Sequence, residues 1–314
     1  MEIRPLNPAD EGDIVELLTN EVIKKTYMLP DFETRADAAP LFRRLLELSL
    51  DEAHFVRAIC AGGRSVGFLN DVEIRDGVIE LGYVIHPAHH GKGYATAALK
   101  AAIAQLFRLG YREVVAGAFA ENAASLRVME KAGMKHIPKT GEIEYRGQTH
   151  TCVYRSISSL ELVTPSFPEL SFRKTLLADA QTMSYNRSYG GTIDFSESRW
   201  ESWYQKWVSG GDSRYFYRYL YSRALDTCVG EAAYHCEAET GRYLCDIIVH
   251  ASYRGRGFGK LGLSALCEAA RENGIPALYD DILPDNPSIA LFLKNGFTVV
   301  DQSEKAYTVR KDLR

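Results

Sequence analysis

Two short stretches decide how this chain folds: His89–Thr96, HHGKGYAT, and Tyr253–Lys260, YRGRGFGK. Each follows an apolar run, VIELGYVI at 78–85 and YLCDIIV at 243–249, and each opens a segment with helical apolar spacing. A strand, a glycine-rich turn and a helix in succession leave several backbone N–H groups without partners at the positive end of the helix dipole. Glycine admits positive φ and keeps a Cβ out of the way, so such a turn is built to take an anion such as a pyrophosphate. A tight strand-to-helix turn with no ligand is the simpler reading of one copy alone. Two copies 164 positions apart, from 90 to 254, argue for duplication.

A second landmark agrees. KAGM (131–134) and KNGF (294–297) repeat at an offset of 163. The 314 residues exceed what one small core needs, and length favours about two domains. The segment 156–170, SISSLELVTPSFPEL, carries Ser, Pro165 and Pro168 and reads as a boundary. The expected domains are therefore 1–160 and 168–314. In the first, strands are expected at 1–4, 55–60, 65–72, 78–85, 113–118 and 152–156, with helices at 9–19, 38–48, 93–109 and 123–132. In the second, strands are expected at 170–173, 215–221, 228–234, 243–249, 277–281, 298–300 and 306–310, with helices at 196–207, 257–272 and 288–295. The class is α/β: a mixed sheet with flanking helices, written twice.

The bulk composition narrows the function. At 46% hydrophobic and 25% charged the chain is ordinary for a soluble globular protein. The net charge of −4 divides evenly between the halves, so neither offers the basic face that nucleic-acid binding demands. The first residues, MEIRPLNPADEGD, lack an apolar core, and no run of 18 apolar residues occurs. No membrane partner is expected. Six cysteines without CxxC spacing read as reduced thiols of a cytoplasmic protein. His86, His89 and His90 cluster, yet no Cys or acid stands at ligand spacing, so they read as a strand-end turn and no metal is expected.

Other phosphate motifs fit poorly. GxxxxGK[ST] is absent, and neither glycine turn has the third glycine of GxGxxG. Instead HGKGYA (His90–Ala95) and RGRGFG (Arg254–Gly259) resemble the [R/Q]xxGx[G/A] signature of the GNAT superfamily of N-acyltransferases. ENAASLRVMEKAGM (121–134) and DNPSIALFLKNGF (285–297) resemble its second signature. The resemblance covers essentially the whole chain, as two acyl-CoA N-acyltransferase domains in tandem. The first half is most similar to the branch that acetylates protein N-termini and small amines.

That resemblance implies the following. Acetyl-CoA is the cofactor, its pantetheine lying between two splayed strands against Val84–Ile85 and Ile248–Val249. The pyrophosphate would sit on His90, Gly91, Lys92, Gly93, Tyr94 and Ala95, or on Arg254, Gly255, Arg256, Gly257, Phe258 and Gly259. Asn122 and Ser125 would approach the thioester end in the first half. In the second half, where the loop is one residue shorter, either Asp285 or Asn286 would do so, and Asn286 is preferred. Departures are visible too: His90 replaces Arg or Gln, and Met129 and Phe292 stand where family members often hold a tyrosine acid.

Acyl transfer needs a neutral amine. A lysine-like amine at pKa ~10.4 pays roughly 4.6 kcal/mol to be neutral at pH 7, an α-amine near 7.8 only about 1 kcal/mol. Base candidates are Glu80, where the family often holds one, and Asp246, since the equivalent position Leu244 cannot serve. The aromatic stretches 185–207 and 214–221 either cage a cation or pack a core. The acceptor is expected to be a small-molecule or peptide amine, and the chain a monomer with pseudo-dimeric domains or a homodimer. The competing class is an acyl-CoA-binding or sensing module with degenerate sites, and a nucleotide-binding protein is a third possibility.

Overall fold

The computed structural model describes residues 1–304 and 306–313 and divides into two compact units, Met1–Ser159 and Leu160–Arg314. In the first unit the chain runs β1 (Glu2–Arg4), α1 (Glu11–Leu18), α2 (Arg35–Leu50), β2 (Arg57–Ala61), β3 (Arg64–Arg75), β4 (Val78–Ile85), α3 (Tyr94–Arg108), β5 (Glu113–Phe119), α4 (Ala123–Lys131), β6 (Lys135–Tyr145) and β7 (Gln148–Ser158). In the second it runs β8 (Leu160–Val163), α5 (Leu170–Ala178), α6 (Trp200–Tyr204), β9 (Tyr215–Ser222), β10 (Thr227–Cys236), β11 (Tyr243–Val249), α7 (Phe258–Glu272), β12 (Ala277–Ile282), α8 (Ile289–Lys294), β13 (Thr298–Gln302) and β14 (Tyr307–Asp312). The sheets have matching orders: β1-β2-β3-β4-β5-β7-β6 and β8-β9-β10-β11-β12-β14-β13. Each is mixed, its one parallel pair being β4–β5 or β11–β12.

The helices follow from local chemistry. Amphipathic α3 buries Ala98, Leu99, Ala102, Ile103, Leu106 and Phe107, and α7 buries Leu263, Leu266, Cys267 and Ala270. Each unit enters its first helix through a capping box, Asn7–Asp10 or Ser166–Glu169, followed at once by Glu11 or Leu170. Asp10 is anchored further by two 2.8 Å bonds from Arg4 and one from Ser65 Oγ at 2.5 Å. Another matched feature is close approach of the backbone. A Cβ on Gly67 would lie 2.1 Å from the Val84 carbonyl oxygen, and one on Gly230 2.1 Å from that of Ile248. Only glycine fits either place.

Three expectations need correction. Residues 170–173 are not a strand but the first turn of α5, because the Ser166–Glu169 box with Pro168 in the first turn starts a helix there. The strand that opens the second sheet is β8, inside the stretch read as a boundary, and it pairs with β9 as β1 pairs with β2. The first sheet also ends in a long β6–β7 hairpin where only a single strand at 152–156 was expected. All six cysteines are free thiols. Among the described residues no helix is long and apolar enough to cross a membrane.

Candidate functional site: two clefts beside glycine turns

In each unit the parallel pair parts company. β4 pairs with β5 only from Val78 to Glu80, and Leu81–Ile85 have no partner on that side. β11 pairs with β12 only at Tyr243 and Leu244, leaving Cys245–Val249 unpaired there. The outer strand is held away by its other neighbour: β5 bonds β7 from Glu113 to Phe119, and β12 bonds β14 from Ala277 to Ile282. A cleft opens as a result, and Val84–Ile85 or Ile248–Val249 line one wall without a strand partner on that side.

The glycine turns sit at the wide end of these clefts. Gly91 and Gly93 have φ of 73° and 78°, Gly255 and Gly257 of 77° and 84°. Nothing lies within 4 Å of where a Cβ would be at any of the four, so the turns are open. No side chain caps α3 or α7, whose N-caps are Gly93 and Gly257. The amides at 91–95 and 255–259 thus begin a helix with the space an anion needs. His90 and Arg254 do the same structural job: His90 Nε2 meets the Ile85 carbonyl at 2.7 Å, and Arg254 Nε donates to that of Val249 at 3.1 Å. Each ties the turn back to its strand, so a histidine at position 90 makes the same tie as the arginine at 254. His86 and His250 each accept a main-chain N–H two residues on, which explains the histidine cluster as a capped turn. No group of metal-ligating side chains occurs among the described residues.

At the start of α4, Asn122 accepts the Ser125 N–H at 3.1 Å, and Tyr83 donates to the Ser125 carbonyl at 3.0 Å. Asn286 makes the corresponding cap to Ser288 at 3.0 Å, while Asp285 is exposed. Met129 and Phe292 are 0% and 1% exposed and serve their cores. Lys92, Tyr94, Arg256, Phe258 and Gly259 all lie on the turns or the first helical residues.

The acid candidates differ from one another. Glu80 stands at the apex of the first cleft and accepts a hydrogen bond from Lys139 Nζ at 3.1 Å; that ammonium also lies 4.0 Å from the Tyr154 ring centre. Asp246 stands on the unpaired stretch of β11 with its side chain exposed and accepts no hydrogen bond among the described residues. Desolvation by the surrounding walls pushes its carboxyl up, with Glu231 adding to the rise and His235 and Arg173 opposing it.

The aromatic region holds a cation after all, and it is the chain's own. Arg173, fourth residue of α5, lies over Phe195, Trp203 and Tyr217 at 5.2, 4.6 and 5.1 Å. Its guanidinium also pairs with Glu231, which accepts from Tyr217 as well. The fourth residue of α1 is Ile14, and the strand position matching Glu231 is Phe68; they are 0% and 1% exposed. Where the first unit packs an apolar pair, the second buries an ion pair.

Comparison with known proteins agrees with the duplicated fold. An acetyltransferase (GNAT) domain model matches residues 1–135, and an acetyltransferase (GNAT) family model matches 179–297. The chain belongs to the GNAT acetyltransferases and carries two of their domains in tandem. It is 32% identical over 87 residues to the probable N-acetyltransferase YjcK of Bacillus subtilis, a match covering 26% of this chain and 48% of that protein. The chain therefore spans about half the length of that curated relative. Solved structures similar to half of the chain include a GNAT-family acetyltransferase from Bacillus anthracis (22% identity, 93% of that chain, TM-score 0.44). Another is the spermidine N-acetyltransferase of Vibrio cholerae in complex with CoA and spermine (20% identity, 94% of that chain, TM-score 0.44).

Proposed function

We propose that this chain is an acetyl-CoA-dependent N-acetyltransferase acting on a primary amine, either a small molecule or a peptide N-terminus. The observation that carries this reading is the parting of β4 from β5, and of β11 from β12, beside an open glycine turn. The residues fit the cofactor. Amides of His90–Ala95 and Arg254–Gly259 offer donors for its diphosphate, each such bond being worth on the order of 1.5–3 kcal/mol. Lys92 and Arg256 add a cation apiece. Main chain at Val84–Ile85 and Ile248–Val249, without a strand partner on the cleft side, can pair with the amides of pantetheine, and Asn122, Ser125 and Asn286 flank the inner end.

Bound acetyl-CoA supplies an activated acyl group as a thioester. The amine nitrogen forms a bond to the acetyl carbon, the carbon–sulfur bond breaks, and the sulfur leaves as thiolate. The amine gives up one proton to solvent or to a carboxylate, and the thiolate, with an ordinary thiol pKa near 8.5, leaves tolerably without a dedicated acid. That fits clefts in which Met129 and Phe292 replace a proton donor. We assign proton removal to Glu80, which is paired with Lys139, and to Asp246, which accepts no hydrogen bond among the described residues. We place the boundary after Ser159, so that the second domain begins at Leu160 rather than 168 and includes β8.

The test is direct. Protein is mixed with acetyl-CoA and a panel of amines while free thiol is followed. Turnover reduced at least tenfold in Glu80→Gln or Asp246→Asn supports the reading, whereas tight CoA binding with no turnover on any amine identifies an acyl-CoA-binding module instead.

A further inference from the structure

One place in the fold is furnished differently in the two units. Three pairs in from the close-approach glycines, Asn70 faces Gly82 across β3–β4, and Ala233 faces Asp246 across β10–β11. Both places lie on the unpaired stretch of the splayed strand. In the first unit the missing side chain of Gly82 leaves room that is filled from outside. Tyr27, from the loop between α1 and α2, donates to Asn70 Oδ1, and its own Oη lies 3.1 Å from where a Gly82 Cβ would be. In the second unit Ala233 is buried among Tyr217, Trp203 and Trp207, and Asp246 carries its own exposed carboxylate at the register position of Gly82. The two arrangements put a hydrogen-bond acceptor at the same register position, a neutral phenol oxygen beside Gly82 in one and the side chain of Asp246 itself in the other.

We propose that this point receives the attacking amine in each cleft, and that the acceptor found there sets which amine each cleft takes. The proposal rests on the transferase reading above. The phenol of Tyr27, whose single proton is committed to Asn70, accepts one N–H from an amine that arrives neutral, and Glu80, the carboxylate two residues along β4, is already engaged by Lys139. The first cleft therefore selects low-pKa amines such as peptide α-amines. The Asp246 carboxylate binds an ammonium ion and takes its proton, so the second cleft selects alkyl amines, of which about one molecule in 2,500 is neutral at pH 7. His235 and Glu231 from β10, Asp280 from β12, Arg173 from α5 and Tyr185 surround Asp246 and set its charge balance.

The clefts can be read one at a time in the full chain. Gly257→Val strains the second turn and leaves the first cleft; Gly93→Val does the reverse. Alanyl-alaninamide and propylamine serve as acceptors, with kcat and KM measured from pH 6 to 10. In the first cleft we expect at least a tenfold preference for alanyl-alaninamide, and Tyr27→Phe lowers its kcat/KM roughly 3–10-fold with the KM for acetyl-CoA unmoved. In the second cleft we expect the opposite preference. There Asp246→Asn removes the acid limb of the propylamine profile and lowers kcat/KM about 100-fold, while Asp246→Glu keeps the limb. Gly82→Asp combined with Asn70→Ala moves the first cleft toward propylamine. Equal preference in both clefts, or Tyr27→Phe and Asp246→Asn without effect, overturns the proposal. A cleft that binds acetyl-CoA but serves neither amine refutes the assignment for that cleft, and failure of both refutes the transferase reading itself.

Discussion

The two units keep one half of the cleft and rebuild the other. On the side of the glycine turns they are near copies: the same open positive-φ glycines, the same histidine-capped turn, the same side-chain tie to the end of β4 or β11. On the side of the first helix they diverge. Ile14 and Phe68 become Arg173 and Glu231, Asn70 and Gly82 become Ala233 and Asp246, and the long β6–β7 hairpin becomes the short β13–β14. The parts that suit a diphosphate tail are held constant, whereas the side of the first helix changes from neutral to charged. Duplication of a fold has preserved one recognition problem and released the other.

Attacking the Arg173–Glu231 pair should have the largest effect. Arg173→Met leaves Glu231 buried without its cation, and a loss of about 3–5 kcal/mol in unfolding free energy of the second unit is expected by chemical denaturation. Installing the first unit's solution, Arg173→Ile with Glu231→Phe, should recover most of it. A double variant no more stable than the single one would show that the swap is not equivalent packing.

Asp10 gives a smaller and pH-dependent effect. Burial works to raise its pKa, but bonds from Arg4, Ser65 and the Asn7 amide outweigh burial and hold it below the usual carboxylate range. A carboxyl with a depressed folded value lends stability above its unfolded value near 3.9, and that stability drains away as pH falls through the folded value. Asp10→Asn should therefore cost about 1.5–3 kcal/mol at pH 7 and progressively less below pH 4.

Tyr145 is next. From the tip of the first unit's hairpin its hydroxyl donates to the Lys24 carbonyl at 2.7 Å and accepts from the Leu29 N–H at 3.3 Å. Arg146 beside it bonds Asp31 at 3.0 Å. Tyr145→Phe should destabilise the loop carrying Tyr27 by about 1 kcal/mol, visible as faster hydrogen exchange across residues 20–32. Among the described residues β13–β14 offers no counterpart, so the matching loop of the second unit should exchange faster from the outset.

The smallest effect concerns Asp246, and its sign is unusual. Its folded pKa is raised, so the ionised form is disfavoured in the folded state and stability declines as pH climbs through that value. Asp246→Asn should leave the protein slightly more stable at pH 7 than the parent, with the difference vanishing in acid. A variant less stable at pH 7 would place Asp246 in a structural contact.

What could be read from the sequence was what local chemistry decides. Gly91, Gly93, Gly255 and Gly257 announce their turns because positive φ excludes other residues, and α3 and α7 show their buried faces in their spacing. β6 was hidden because most of it is exposed and Pro138 and Gly141 interrupt its pattern. LSFR at 170–173 alternates like a strand, and only the capping box before it tells otherwise. Tyr27, Asn70, Arg173 and Glu231 escaped notice for a different reason. Their importance lies in which residue faces which across the sheet, and register over 43 or 58 residues of separation is a property of the assembled fold.

Counting bound coenzyme tests the central claim most directly. Titrating CoA into the full chain by calorimetry should give two sites per molecule, falling to one in either Gly93→Val or Gly257→Val and to none in the double variant. A stoichiometry unaffected by both substitutions, or no binding in the parent protein, would contradict it.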